Sequence, residues 1–168
     1  MYLIFGFSKP KKKVFPVISW LIQALERVKF SHMYCRWHSK SGAECFYHAA
    51  ESMVHFLGGE IARSQLTLVE EYKVSVTSEQ YRKLIYHTHS RAGTNYGIRQ
   101  LIGMGMQRIF GLKRNPCSDG KNSAVCTEEM GYILKEILGY EIKGDLEKEG
   151  LRYMRDWCRE NLTKVEIK

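Results

Sequence analysis

Val125-Cys126-Thr127-Glu128-Glu129-Met130-Gly131-Tyr132-Ile133-Leu134-Lys135-Glu136-Ile137-Leu138-Gly139 reads as a cysteine followed at once by one amphipathic helix. Met130, Ile133, Leu134, Ile137 and Leu138 recur at the three- and four-residue spacing of a single buried face, and Gly139 is a natural stop. The preceding stretch, Asn115-Pro116-Cys117-Ser118-Asp119-Gly120-Lys121-Asn122-Ser123, is loop-forming chemistry throughout, so Cys126 falls where a loop enters the first helical turn. Unpaired backbone N–H groups and the positive end of the helix dipole favour an anion there, which lowers a thiol pKa and can also serve an oxyanion. A lone cysteine at a helix start is more often a small core residue. For Cys126 to be a nucleophile, a matching base must come from elsewhere in the chain.

Composition bounds what surrounds that helix. At 168 residues and 44% hydrophobic content, the chain has enough apolar material for one core and too little for two, so a single domain spanning 1–168 is expected. Its 26 Lys and Arg against 18 Asp and Glu give a formal charge of +8, which suits an anionic partner such as nucleic acid, a cell-wall polymer or a lipid surface. The five cysteines, at 35, 45, 117, 126 and 158, include no CxxC pair, so neither a closed disulfide framework nor a standard zinc site is suggested. A reducing compartment fits best. The apolar run from Tyr2 to Phe7 is too short for a signal-peptide core, and its lysines follow it instead of preceding it. No segment approaches the roughly 20 apolar residues of a membrane span. The expected location is cytoplasmic, with release by lysis, specialised secretion or a virion if the protein acts outside a cell.

Taken in order, residues 2–7 predict a short strand and residues 8–13 the turn after it. From Pro16 to Arg27 the pattern is helical, with Val17, Trp20, Leu21, Ala24 and Leu25 on the inner face. The aromatic-rich run from Phe30 to His38 reads as a strand, with His32, Tyr34, Arg36 and His38 on one face and Met33, Cys35 and Trp37 on the other. Ser39 to Gly42 turns it into a hairpin whose second arm is Ala43 to Ala49. Residues 61–76 suggest one or two strands, and Thr77-Ser78 cap a helix over 79–91 with Tyr81, Leu84, Ile85 and Thr88 inward. Residues 92–97 break that helix. Gly103, Gly105 and Gly111 make 98–112 a loose or broken one. Residues 140–142 suggest an edge strand, and a last helix over 146–162 packs Leu151, Met154, Trp157 and Cys158. These elements make an α+β domain, a small bent antiparallel sheet of about five strands packed against the Cys126 helix.

A thiolate nucleophile needs a base to take its proton and a third group to orient that base. Of the six histidines, His87 and His89 fall on the exposed side of their helix, His38 at the hairpin tip and His55 in an irregular segment. His32 and His48 differ, each embedded in an aromatic strand on one arm of the hairpin, where paired strands hold them within reach of one another. A metal site from Cys35, His38, Cys45 and His48 is the competing use of these residues, but alternation puts Cys35 and His38 on opposite faces. Cys117 in its loop is a candidate resolving thiol or a plain exposed cysteine.

The order Phe30-Ser31-His32, then Tyr47-His48-Ala49, then Val125-Cys126-Thr127-Glu128 resembles the circularly permuted branch of the NlpC-type papain-like hydrolases, in which the histidine strands precede the cysteine helix. Ala92-Gly93-Thr94-Asn95-Tyr96-Gly97 is similar to the Gly-Thr-Pro-Tyr stretch ahead of the nucleophile in the unpermuted family, with Asn95 where proline is usual. The lecithin:retinol acyltransferase relatives share the His, His, Cys order. The likeness runs from about Ser19 to Leu138. It implies a permuted papain-like fold with Cys126 as nucleophile, His32 as general base and acid, and His48 orienting it, while Tyr96 lines the pocket and Tyr34 joins it in substrate binding. Thr127 stands where serine is common, and His48 where many members carry glutamate, which leaves Glu44 and Glu51 as alternatives for the third role. The activity implied is hydrolysis or transfer at an amide or ester carbonyl through a thioester, without a cofactor. Cell-wall peptide is the favoured substrate, with acyl lipids and isopeptide bonds as alternatives. A non-catalytic basic binding module that kept the fold is the competing expectation.

Overall fold

The computed structural model describes residues 1–11, 16–50, 53–112, 114–117, 123–146 and 149–167. Five long strands, β1 (Tyr2–Pro10), β2 (His32–His38), β3 (Glu44–Ala50), β4 (Met53–Gly58) and β5 (Leu66–Ser75), are joined by three short ones, β6 (Asn95–Tyr96), β7 (Ser123–Ala124) and β8 (Thr163–Val165). Together they form one open sheet in the order β7-β6-β4-β3-β2-β1-β5-β8. Among the described residues every pairing is antiparallel except β6 with β7. Around it lie α1 (Pro16–Glu26), α2 (Gly59–Gln65), α3 (Ser78–Arg91), α4 (Ile98–Phe110), α5 (Cys126–Tyr132), which runs on as a π-helical turn over Ile133–Ile137, and α6 (Leu151–Asn161). The class is α+β.

Strand alternation decides which side of the sheet is core. Phe5, Met33, Cys35, Tyr47 and Tyr72 are fully buried on one face, against Met130, Ile133 and Leu134 of α5 and its π turn and Met154 of α6. Gly139 takes a positive φ of 80° and ends the helical run, as its position in the sequence requires. Thr77 caps α3 through a capping box with Gln80. The opposite face is closed by α2, where Tyr34 and Phe46 pack with Ala62. There the Arg36 guanidinium donates Nε–H to Glu71 Oε1 at 2.7 Å and Nη2–H to Glu71 Oε2 at 2.6 Å. Tyr34 Oη donates to the same Oε1 at 2.6 Å, and Glu44 bridges Arg36 and Arg63, so each buried charge has a partner.

Several expectations change. Ser8 to Pro10 belong to β1, because the strand continues past a register shift at Phe7/Ser8 to pair with Leu66, Thr67 and Leu68. Lys12 and Lys13 of the expected turn lie outside the described residues. The segment after the hairpin, left irregular by the sequence, holds the strand β4, and of the 61–76 stretch expected as strand only Leu66–Ser75 is one, since 61–65 belong to the helix α2. The expected loose or broken helix over 98–112 is one continuous helix over Ile98–Phe110, with left-handed Gly111 as its C-cap. Residues 140–142 are not a strand, and the edge is supplied by β8 instead. The last helix begins at Leu151 but buries the four residues foreseen. The inner face foreseen for α1 is turned outward in part, since Trp20, Leu21 and Ala24 are exposed. The side chain of Val17 lies outside the described residues.

Gly6 leaves no room for a side chain, because a Cβ there would collide with the Tyr34 ring. Gly6→Ala should displace that ring and its bond to Glu71, lowering unfolding free energy by about 2–4 kcal/mol in urea titrations. An unchanged midpoint would show that Tyr34 gives way freely.

Candidate active site

Three imidazoles form a hydrogen-bonded chain at the end of the sheet where β2 begins, β3 ends and β4 begins. His32 Nε2 lies 2.8 Å from His48 Nδ1, His48 Nε2 lies 3.0 Å from His55 Nε2, and His55 Nδ1 lies 3.1 Å from the Met53 carbonyl oxygen. A carbonyl only accepts, so His55 Nδ1 carries a proton, and in the neutral tautomer of that ring Nε2 accepts. That makes His48 donate from Nε2 and accept at Nδ1, so His32 donates from Nε2. The one unprotonated nitrogen left over is His32 Nδ1. A backbone carbonyl three residues removed thus sets the tautomer of the proposed base. Burial pulls the His32 imidazole down to about 3, reinforced by His55, and holds His48 well below its ordinary range, with His32 and His55 adding to the effect. His32 and His48 are therefore neutral at pH 7.

The sequence pairing of His32 with His48 holds in this geometry, and His55 is the member it missed. In β4 His55 stands directly across from His48 in the register, a position visible only once β4 is recognised as a strand. Glu44, an alternative for the third role, is engaged by Arg36 and Arg63. Glu51 lies outside the described residues. Tyr34 is corrected from a substrate contact to a buried structural residue bonded to Glu71. Tyr96 lies in β6, but its side chain is outside the described residues. The metal set Cys35, His38, Cys45 and His48 does not assemble: among the described residues no group of three or more His, Cys, Asp or Glu side chains is arranged to hold an ion.

Cys126 reaches the same end of the sheet by another route. β7 pairs with β6, β6 with β4, and the chain passes from β7 through Val125 into α5. Alternation turns His32 and His48 away from the face on which α5 packs, while Ser31, the residue before His32, shares the wall of one cavity with Cys126. That cavity, of about 200 Å³, is lined chiefly by Leu, Ile and Met of α1 and α4; Cys126, Thr127, Ser31 and Glu26 supply its polar side chains. Thr127 is 2% exposed, and its hydroxyl makes no hydrogen bond among the described residues. Cys35 and Cys158 are pushed far up by burial, which makes them poor nucleophiles.

One turn into α5, Glu129 fixes the helix to its neighbours. It is 4% exposed and accepts from Tyr47 Oη and His87 Nε2, each at 2.7 Å, with Arg91 Nε at 3.4 Å. Burial alone would raise its carboxyl, but His87, Tyr47 and Arg91 outweigh that and hold it below the usual range. Because Tyr47 is the neighbour of His48, this contact ties the cysteine helix to a histidine strand. His87, expected to be solvated, instead binds Glu129 and stacks on Tyr132.

Compared with protein-family models and with curated proteins, the sequence matches none.

The buried His32 and His48 imidazoles give folding a pH dependence of known sign. Their folded pKa values lie below the ordinary 6.5, so the unfolded chain binds more protons and stability falls as pH drops. Between pH 6.5 and 5, above the range where Glu44 and Glu129 protonate, urea unfolding should show losses up to about 1.4 kcal/mol per pH unit for each imidazole. His32→Gln should flatten that slope, and an equal slope in the variant would contradict the assignment.

Proposed function

We propose that the protein is a cysteine acyl hydrolase or acyltransferase acting at an ester or amide carbonyl. The observation that carries the reading is the histidine chain, whose neutral tautomers leave His32 Nδ1 without a proton next in sequence to Ser31, which shares a cavity wall with Cys126; proton transfer requires the start of β2 to bring that ring round to the α5 face. His32 takes the Cys126 proton, and the thiolate attacks the carbonyl carbon to give a tetrahedral intermediate. Its oxyanion is met by the backbone N–H of Cys126 in the first turn of α5. The imidazolium then returns the proton to the departing alcohol or amine, leaving a thioester. Water, or a second acyl acceptor, releases the acyl group by the reverse proton traffic. His48 and His55 are positioning residues that keep the proton on the correct nitrogen of His32. The low basicity of buried His32 is offset when the thiolate and imidazolium form together, since each charge favours the other.

The wall of the Cys126 cavity favours an acyl chain over a cell-wall peptide as the group transferred. A peptide rich in amides and carboxylates would bury them against Leu, Ile and Met without partners, at a cost of about 1–3 kcal/mol per polar group. A hydrocarbon chain carries no such penalty and gains from leaving water.

Cys126→Ala should abolish release from a chromogenic acyl ester while leaving the circular dichroism spectrum unchanged. Wild-type Cys126 should alkylate faster near neutral pH than Cys35 or Cys158, and equal rates would remove the nucleophile. Across a series of acyl lengths, kcat/KM should rise about fourfold per methylene until the cavity is filled; a flat series would defeat the acyl assignment. His55→Ala should lower kcat about tenfold or more with KM little changed.

A further inference from the structure

Four residues line the Cys126 cavity and are also solvent-exposed, so they form its mouth: Leu21 on α1, and Ile102, Met106 and Ile109 on α4. The α4 residues follow the four- and three-residue spacing of one helical stripe. The stripe is continued by Phe110, which is 68% exposed, and Trp20, next to Leu21 in α1, is 67% exposed. A helix face this apolar ordinarily turns to the core. Here two of them turn outward around the entrance to one apolar cavity, which is the pattern of an interaction surface and not of scattered surface residues.

Charge indicates what lies against it. The segment 97–117 carries Arg99, Arg108, Lys113 and Arg114 and no acidic residue, and α1 is followed at once by Arg27 and then Lys29. Glu26, the one carboxylate on the cavity wall, accepts the backbone N–H of Arg152 at 3.3 Å. Arg27, Arg99 and Arg114 are exposed. Apolar side chains flanked by cations, on a chain of net charge +8, match an anionic phospholipid surface, where the apolar residues enter the acyl region and the cations meet the headgroups. A protein partner of acidic character would satisfy the cations but would have no reason to feed a cavity that ends at Cys126.

We infer that the α1–α4 rim docks on an anionic bilayer and admits an acyl chain from it directly to the Cys126 cavity. The inference rests on the acyl reading of that cavity. The surface supplies the substrate at high local concentration, and the chain passes from lipid to protein without crossing water.

Trp20 provides the test, because Trp37 and Trp157 are only 3% and 8% exposed and report little of the surface. Full-length protein is mixed with vesicles of phosphatidylcholine alone and of phosphatidylcholine with phosphatidylglycerol. Emission should shift to the blue with the anionic vesicles, the protein should co-sediment with them, and added salt should weaken both effects. The double variant Trp20→Ser, Phe110→Ser, both sites lying outside the core, should lose about tenfold or more in vesicle affinity with its melting temperature retained. Cys126→Ala should sediment like the wild type, so vesicle binding with an unreactive Cys126 would sink the thiol chemistry and support the docking surface. Wild-type protein that stays in the supernatant with both vesicle types, or a double variant that sediments unchanged, would overturn the inference. So would a concentration-dependent dimer whose Trp20 emission is already blue-shifted and indifferent to vesicles, since the rim would then be covered by a second copy.

Discussion

A carboxylate buried between a sheet and a helix must be hydrogen-bonded or it unfolds what surrounds it, and Glu129 is in that position. Its three partners come from two different elements: Tyr47 from β3, His87 and Arg91 from α3. Any rotation or slide of α5 by one residue would break all of them at once. The apolar layer of Met130, Ile133 and Leu134 supplies most of the burial, but apolar packing alone tolerates alternative seatings. The charge removes that tolerance. It sets the height of Cys126 relative to the strand that carries His48.

The other face of the sheet uses the same device for a different end. Arg36, Glu71, Glu44, Arg63 and Tyr34 form a network under α2, remote from the cysteine helix. Such networks stabilise little over an apolar core of equal volume, but they penalise every misregistration of β2 against its partner β3 and, across β1, against β5. Register in β2 and β3 is what aligns the histidine chain, since a slip of one residue would move His32 or His48 to the opposite face.

Much of this was legible in the sequence, and the exceptions have physical causes. The hairpin, α3 and the cysteine helix announce themselves by period and by turn or cap residues, so His32, His48 and Cys126 could be placed on elements before any coordinates. β4 could not, because Met53-Val54-His55-Phe56-Leu57 is short and lacks alternation of apolar and polar residues, and with it His55 was lost. Periodicity also cannot tell a covered face from an uncovered one. The stripe containing Trp20 and Leu21 reads as core, and only the packing reveals that it opens to solvent. Glu129 and His87 were missed for a related reason: a polar residue on a helix looks solvated until the element that covers it is known.

The single parallel pair among the described residues has a consequence for how such a protein can diversify. β6 and β7 are neighbours in the sheet, and the chain between them, with α4 in it, leaves and returns at adjacent points. Both ends of that excursion are pinned, so its length and sequence can drift at small entropic cost without disturbing the entry into α5. The α4 side of the cavity wall is thereby a replaceable cassette on a fixed sheet. The lining of the cavity and the seating of Cys126 are separable traits in this architecture, and selection can act on one while holding the other still.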